Sequence, residues 1–241
     1  MEKVIIIPAR VHSNRFPGKV LYLIDGLPLI IRTWKQALQV KDCRVFIASD
    51  DVSLLATCQN EYGCNVILTK EHRNGTERCA EAACILNLEK DDLILNLQAD
   101  LPMIDPELLE NVFKLIPYYI VTAAVETKGK PSQSPHDVKV VMDRNQNALY
   151  FSRSVIPCNA VVWHNHIGVY GFMNVLLQEY AARSISSLEL IEDLEQLRIL
   201  YHGQYKVKVI VTKKDCVSIN VPSDIDKLIN WPNERVIGHV I

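Results

Sequence analysis

Four short apolar runs alternate with four helical patterns over the first 117 residues, and this alternation constrains the fold more than any other feature. The apolar runs are rich in β-branched residues and read KVIIIPA, RVFIASD, NVILT and DLILNLQAD. A helical pattern follows each of them: Pro28 to Val40, then DVSLLATCQNEYG, TERCAEAACILNL and DPELLENVFKLI. Successive strand–helix units predict an α/β fold with a mainly parallel, doubly wound sheet and helices on both of its faces.

The ends of these helices carry recognisable signals. Pro28 suits a first helical turn, and Gly63 can end the second helix in a left-handed conformation. Thr76 is a candidate N-cap for the third helix, and Asp105 is a candidate for the fourth. We therefore expect the helices to begin or end close to these residues.

The pattern changes after Tyr118. The strand-like stretches YIVTAAVE, DVKVVMD, ALYFSR and NHIGVYGF follow one another without helices between them. A long helix is then predicted for SLELIEDLEQLRILYHG, a strand for KVKVIVT, and a last helix from about Pro222 to Asn230. The second half is therefore expected to form a small mixed α/β lobe that covers one end of the sheet, within a single domain spanning 1–241.

The long helix shows two stripes of residues at helical spacing. The first, expected to pack in the core, consists of Leu190, Leu194, Leu197 and Tyr201. The second consists of Glu189, Glu192 and Gln196, and such a stripe is ordinarily a solvated face.

Three cations, Arg10, Arg15 and Lys19, follow the first predicted strand directly, with Pro17 and Gly18 between the last two. Ligands of doubly wound sheets bind beyond the carboxyl ends of the strands, where this loop would lie. Neither the dinucleotide fingerprint Gly-x-Gly-x-x-Gly nor the P-loop pattern occurs. Guanidinium and ammonium groups bind phosphate oxygens, so the loop is a candidate phosphate site. The alternative is three solvated surface cations.

The composition argues against several classes of protein. The formal net charge is −2 and there is no basic stripe, so we do not expect nucleic-acid binding. No apolar run approaches the roughly 20 residues that span a bilayer, and we see no secretory signal pattern. The seven cysteines form no Cys-x-x-Cys pair and are expected to be reduced, mostly buried thiols of a cytoplasmic protein. His164 and His166 have no cysteine nearby with which to bind zinc.

Seven sequence blocks follow one another in a specific order along the chain. They read PARVHSNRFPGK, NGTERCAEA, LNLQADLPMI, DVKVVMD, ALYFSRSVIP, HIGVYGF and LEQLRIL, and they span nearly its whole length. In these blocks the chain resembles the CMP-Kdo synthetases, the 3-deoxy-manno-octulosonate cytidylyltransferases. The resemblance implies a Rossmann-like nucleotidyltransferase that uses CTP to activate a 3-deoxy-2-ulosonic sugar acid and releases pyrophosphate. It also implies a homodimer, a nucleotide-binding half at 1–117, a sugar-acid and dimerisation lobe at 118–215, and a C-terminal helix and tail at 216–241.

The resemblance places the triphosphate of CTP in the opening loop. Arg10 and Lys19 would contact phosphate oxygens and, with Asp100, would be catalytic. Ser13 would assist, and Arg15 would lie near the phosphates or the sugar acid. The other implied nucleotide contacts are Pro8, Ala9, Arg73, Asn74, Gly75 and Gln98, with Arg73 and the backbone beside it recognising cytosine.

A magnesium site, or a manganese site in its place, is implied at Asp100. By sequence alone, an aspartate before Pro102 is as readily a turn or cap residue. The family pattern Gln-Gly-Asp-Glu-Pro is matched imperfectly, because this chain has Ala99 and Leu101. In SINVPSDI, Asn220 stands where the family has a second metal-binding aspartate. An amide oxygen carries no full charge, so we expect the metal to bind more weakly.

Alternation predicts that His166, Gly168 and Tyr170 share one face of a strand. A strand histidine is more often structural, but the resemblance makes this face a wall of the sugar-acid pocket. The implied sugar-acid contacts are Arg15, Gln98, Arg153, His166, Tyr170, Glu192 and Gln196.

The stretch between SVIP and NHIGVYGF is shorter than is usual in the family, which leaves the acceptor open. One alternative is another acid, such as a sialic-type nonulosonate, 8-amino Kdo or a phosphonate. The other is a nucleotide-binding relative with weakened catalysis.

Overall fold

The computed structural model describes residues 1–11, 16–214 and 216–229. Its centre is a nine-stranded sheet, beside which lies a two-stranded hairpin made of β2 and β3. The strands are β1 (Lys3–Pro8), β2 (Leu23–Ile24), β3 (Leu27–Pro28), β4 (Arg44–Ser49), β5 (Asn65–Leu68), β6 (Leu93–Leu97), β7 (Ile120–Lys128), β8 (Lys139–Met142), β9 (Ala148–Ser152), β10 (Val162–Met173) and β11 (Val207–Thr212).

Helices connect or flank these strands. They are α1 (Leu29–Ala37), α2 (Val52–Tyr62), α3 (Gly75–Ile85), α4 (Pro106–Leu115), α5 (Asn174–Ala182), α6 (Ser187–Glu192), α7 (Leu197–His202) and α8 (Asp224–Ile229). A short 3-10 helix, Lys19–Leu21, follows the opening loop.

The strand order of the large sheet is β11-β7-β10-β6-β1-β4-β5, with the β8–β9 pair attached to β10. Strand β1 lies between β4 and β6 and is parallel to both, so that Ile6 is in register with Phe46 and with Asn96. Strand β10 runs antiparallel to its neighbours β6 and β7, whereas the other neighbours along this path are parallel. The predicted fold, an α/β domain with a mainly parallel sheet, is therefore confirmed. Strands β7, β10 and β11 extend the sheet itself, so the second half is not merely a cover over its end.

Both faces of the central strand are buried, as a doubly wound sheet requires. Ile5 and Ile7 belong to one apolar cluster, Val4 and Ile6 belong to the other, and all four side chains are inaccessible to solvent. Strand β10 approaches α4 so closely that a Cβ atom on Gly171 would lie 2.6 Å from Cγ1 of Ile116. The helices therefore pack directly on the sheet and hold the strand ends in fixed positions.

Three of the four predicted helix ends are confirmed, among them Pro28, which directly precedes α1, and one is wrong. Gly63 ends α2 with φ of 70°, and Asp105 caps α4 by accepting from the amide of Glu107. Thr76, however, does not cap α3. Asn74 does so, because its side chain accepts from the amide of Glu77, while the hydroxyl of Thr76 accepts from Asn96 Nδ2 inside the protein.

The predicted long helix of the second half is broken. Asp193 has φ of 52° and separates α6 from α7, so a single helical wheel cannot describe both. Leu190 and Tyr201 of the predicted core stripe are exposed, whereas Glu189 and Gln196 of the predicted solvated face are buried. The β2–β3 hairpin and α5 were not predicted, and the last described helix begins at Asp224 rather than at Pro222.

The cysteines differ in part from the expectation. All seven are free thiols, but only Cys58, Cys64 and Cys79 are buried, while Cys84 and Cys158 are exposed. Among the residues described here, no helix has the length and apolar character needed to cross a membrane.

Candidate active site

A cavity of about 540 Å³ opens where β1 and β6 end. The structure brings most of the predicted site residues to its lining: Pro8, Ala9, Arg10, Lys19, Arg73, Asn74, Gly75, Gln98, Asp100, Arg153, His166, Tyr170, Gln196 and Asn220. Glu192 is not among the lining residues, and Ser13 and Arg15 lie outside the described residues. Segments that are far apart in the sequence therefore meet at one edge of the sheet.

An ion pair joins the loops that follow β1 and β6. Gly18, with φ of 68°, allows the chain to turn into the short helix that begins at Lys19. Lys19 Nζ then lies 2.6 Å from Asp100 Oδ2, and the two side chains are only 13% and 20% exposed. A cation and a carboxylate at a strand edge can receive a phosphate and a metal ion, respectively.

Asn220 is connected to Asp100 through the backbone. The amide of Ile219 donates to the carbonyl oxygen of Asp100, at 3.0 Å. The side chain of Asn220 donates to Ser218 Oγ, and its backbone amide donates to Asp224 Oδ2. Asp224 therefore holds the loop before α8.

The possible metal ligands at this edge meet only the minimum that Mg²⁺ requires from a protein. Among the described residues, no group of three or more His, Cys, Asp and Glu side chains is arranged to hold a metal. Mg²⁺ needs only one or two carboxylates when substrate phosphates and water complete its shell. Asp100 supplies one carboxylate, and Asn220 can add a neutral amide oxygen.

The start of α3 forms the floor of the cavity. The side chain of Asn74 accepts from the amide of Glu77 and donates to the hydroxyl of Tyr180, so it holds the helix start in place. A Cβ atom on Gly75 would lie 2.8 Å from Gln98 Nε2 and 3.0 Å from Cγ of Pro8. Gly75 therefore lets the helix start approach the ends of β1 and β6, which leaves backbone exposed to a ligand.

His166 and Tyr170 lie on the same side of β10, with ring centroids 5.4 Å apart. Thr122 Oγ1 lies 2.9 Å from Nε2 of His166. Burial lowers the pKa of His166 to about 3, so the imidazole is neutral near pH 7. The hydroxyl of Tyr170 donates to Gln196 Oε1 at 3.1 Å. This wall thus offers neutral hydrogen-bonding groups.

The amide nitrogen of Gln196 is a buried donor without a hydrogen-bond acceptor among the described residues. The residue is only 2% exposed and lines the cavity. A buried donor that lacks a partner costs about 1–3 kcal/mol. A ligand oxygen at this wall would satisfy it.

Arg153 and Glu192 hold the rim of the cavity together. The guanidinium of Arg153 donates to the carbonyl oxygens of Glu192, Pro135 and Asp193. The carboxylate of Glu192 accepts from the amide of Arg153 and from Ser152 Oγ. Glu192 therefore supports Arg153 from outside the lining.

Glu195 is a cavity residue that the sequence analysis missed. Its carboxyl accepts from the amide of Thr76 at 3.0 Å and from Gln98 Nε2 at 3.4 Å. Burial, with a smaller contribution from the carboxylate of Glu189, raises the pKa of Glu195 to about 7 against the opposing effects of Thr76 and Arg198. The block LEQLRIL contained Glu195, but the pattern of a continuous helix gave it no role.

The comparisons with known proteins agree on one class of enzyme. The profile described as Cytidylyltransferase matches residues 4–214. The chain is 38% identical to the 3-deoxy-manno-octulosonate cytidylyltransferase of a Nitratiruptor species, with 93% of this chain and 98% of that protein covered. It is 42% identical to the enzyme of that name from Helicobacter pylori, with 92% and 94% covered.

A solved structure is similar over nearly the whole chain. It is a CMP:2-keto-3-deoxy-manno-octonic acid synthetase complexed with CTP, with a TM-score of 0.83 and 32% identity. The match covers 95% of this chain and 97% of the other.

The raised pKa of Glu195 predicts a pH-dependent contribution to stability. Its folded pKa of about 7 exceeds the ordinary value of 4.5, so the folded protein retains a proton that the unfolded chain has lost. This lowers the free energy of unfolding as the pH rises from about 5 to about 7. Glu195→Gln removes this pH dependence. The free energy of unfolding of the variant should therefore rise by roughly 2 to 3 kcal/mol relative to that of the parent over this range.

Urea unfolding of parent and variant at pH 5, 6, 7 and 8 measures this difference. Glu61→Gln, at an exposed position of α2, is the matched control and should show no such trend. Parallel stability curves for the parent and Glu195→Gln would show that Glu195 is ionised throughout this range.

Proposed function

The chain belongs to the cytidylyltransferase family, and we propose that it transfers CMP from CTP to 3-deoxy-manno-octulosonate (Kdo), with release of pyrophosphate. The observation that carries this proposal is the unsatisfied amide donor of Gln196, buried in the same cavity as the Lys19–Asp100 pair. The cavity thus combines a charged edge for phosphates with a wall whose buried donor can bind an oxygen atom of a ligand. The Nitratiruptor and Helicobacter relatives carry the name of this activity.

The charged edge would bind the nucleotide. Arg10 and Lys19 supply cations for the phosphate oxygens, and Lys19 can exchange its bond to Asp100 for one to phosphate. The backbone between Arg73 and Gly75 would contact the cytosine. Lys19 and Arg10 would then stabilise the negative charge that develops on the phosphates during transfer.

The wall formed by β10 and the start of α7 would bind the acid. Gln196 Nε2 would donate to a sugar oxygen, and His166 and Tyr170 would supply further neutral contacts. Arg153 borders this region and brings a positive charge near the substrate carboxylate. In this pose the anomeric hydroxyl attacks the α-phosphorus, a new oxygen–phosphorus bond forms, and the bond to the pyrophosphate breaks.

We also propose that Mg²⁺, or Mn²⁺ in its place, binds at Asp100, with Asn220 as a neutral second ligand. When bound, the metal would neutralise charge on the transferred phosphate and on the departing pyrophosphate. Asp100 would orient toward it after Lys19 has turned to the phosphates.

The homodimer stays a prediction, and exposed apolar side chains in the second half of the chain are candidates for its contacts. Val161, Leu190 and Ile191 are 77%, 66% and 78% exposed. Surfaces of this kind mark association sites when they are contiguous. Sedimentation of the purified protein decides between one copy and two.

Pyrophosphate release tests the proposed function. We expect release from CTP with Kdo, together with formation of CMP-Kdo, and much less release with ATP, GTP or UTP. The panel of acids includes 8-amino Kdo, a sialic-type nonulosonate and a phosphonate. Greater turnover of one of these acids would assign a different acceptor, and binding of CTP without any turnover would indicate a catalytically weakened protein.

Asn220→Asp tests the metal site. A carboxylate at position 220 should lower the Mg²⁺ concentration needed for half-maximal rate several-fold, because a negative charge attracts the cation more strongly than an amide dipole does. Asp100→Asn should nearly abolish turnover, and Mn²⁺ should support activity at lower concentrations than Mg²⁺ does.

The control is Asn111→Asp, which adds the same charge on α4, away from the cavity lining. Binding of Mn²⁺ in the presence of CTP, followed by electron paramagnetic resonance, gives a second readout. An unchanged titration in both measurements would show that Asn220 is not beside the metal.

A further inference from the structure

A buried guanidinium lies behind the cavity, outside its lining. Arg198 is 1% exposed and donates to both carboxylate oxygens of Glu189, from Nη2 at 2.6 Å and from Nε at 2.8 Å. Nη2 also donates to Glu77 Oε1 at 2.8 Å. Two carboxylates from different helices therefore share one cation.

These two carboxylates belong to the two segments that we assign to the nucleotide and to the acceptor. Glu77 lies in the first turn of α3, next to the residues predicted to face the nucleotide. Glu189 lies in the first turn of α6, which precedes the residues of the acceptor wall. Asn74 Nδ2 lies 3.4 Å from Glu189 Oε1, and the ring of Tyr180 packs 4.5 Å from the guanidinium of Arg198. Arg198 thus connects the nucleotide side to the acceptor side.

A second connection runs in parallel with the first. The carboxyl of Glu195 binds the amide of Thr76, and the hydroxyl of Tyr180 donates to the carbonyl oxygen of Glu195 at 3.2 Å. Both ends of the stretch 189–195 are therefore attached to the first turn of α3 or to the helix that supports it.

The two sides differ in how firmly the rest of the protein holds them. The start of α3 lies against β1 and β6, with Gly75 between Pro8 and Gln98. The stretch 189–195 instead covers the end of the six-residue helix α6 and the turn that leads to α7. Leu190 and Ile191 within it are exposed, and Glu192 and Asp193 attach it to Arg153 at the rim. Loosening the connection should therefore displace the acceptor wall and leave the nucleotide side in place.

A buried ion pair of this kind adds little net stability compared with apolar packing of the same volume. Its value is geometric, because a guanidinium that binds a carboxylate through two parallel hydrogen bonds fixes both distance and orientation.

We propose that Arg198 is a positioning residue that fixes the acceptor wall, including Gln196, relative to the nucleotide side of the cavity. It acts through Glu77 and Glu189 and does not itself touch a substrate. The inference rests on the proposed function for the identity of the acid, but the connection itself can be measured without substrate.

The kinetic test uses Arg198→Lys, which keeps the charge and loses the two-pronged contact. A displacement of the wall should raise KM for Kdo about tenfold and lower kcat, while KM for CTP stays within about twofold. The control is Arg183→Lys, at an arginine that also pairs with a glutamate and packs over a tyrosine ring, but whose partner Glu179 is only four residues away in the sequence, so that it connects no two parts of the cavity. It should change neither KM.

Amide hydrogen exchange of the full chain without substrate is the second readout. Arg198→Lys should speed exchange at Leu194 and Leu197, whose amides bond within this segment, and leave β4 unchanged. Glu77→Gln, which removes the charge from only one arm of the connection and so weakens it, should show a smaller change of the same kind and decides the matter if Arg198→Lys does not fold.

The two readouts separate this inference from the proposed function. An unmutated protein that does not use Kdo contradicts the proposed function, while faster exchange in the variants still supports the positioning role. The inference is overturned if amide exchange in this segment is unchanged. It is also overturned if both KM values are unaltered and kcat falls only in proportion to the folded fraction of the variant.

Discussion

The parallel pairing of β1 with β6 is the constraint on which the site depends. Adjacent parallel strands end at the same edge of a sheet, so the loops after Pro8 and Leu97 must emerge side by side. The ion pair between Lys19 and Asp100 follows from this arrangement, although 81 residues separate the two in the sequence. Gly75 and Gly168 keep the neighbouring segments close to Gln98, so the cavity is built on the sheet rather than on loops alone.

The antiparallel strand β10 forms the wall of the cavity that we assign to the acceptor. It inserts beside β6 and carries His166 and Tyr170 to the edge where the parallel strands end. The break at Asp193 then turns the chain so that Glu195 and Gln196 face inward. One edge therefore carries the Lys19–Asp100 pair, while the other wall presents the neutral side chains of His166 and Tyr170 and the unpaired donor of Gln196. This combination suits a reaction between a triphosphate and a polyhydroxy acid.

Local pattern predicted the first half of the fold well, because each strand there is short and apolar and each helix has its own end signals. Gly63 and Asp105 were therefore placed correctly. The second half of the fold was harder to predict. The stripes through Leu190 and Gln196 assumed one helix, and the buried contacts of Arg198 with acidic side chains of α3 and α6, which no local pattern reveals, favour a bent segment. Most site residues came from family resemblance, whereas Glu195 emerged only from the three-dimensional arrangement.

In the proposed reaction the cavity places the acid's hydroxyl against the α-phosphorus of CTP. Parallel reactions with Kdo and CTP labelled with radioactive phosphorus at either the α- or the γ-phosphate test it most directly. We expect the α-label to appear in the CMP-sugar and the γ-label to leave in pyrophosphate. A γ-label attached to the sugar acid would contradict it, because the protein would then transfer the terminal phosphate instead.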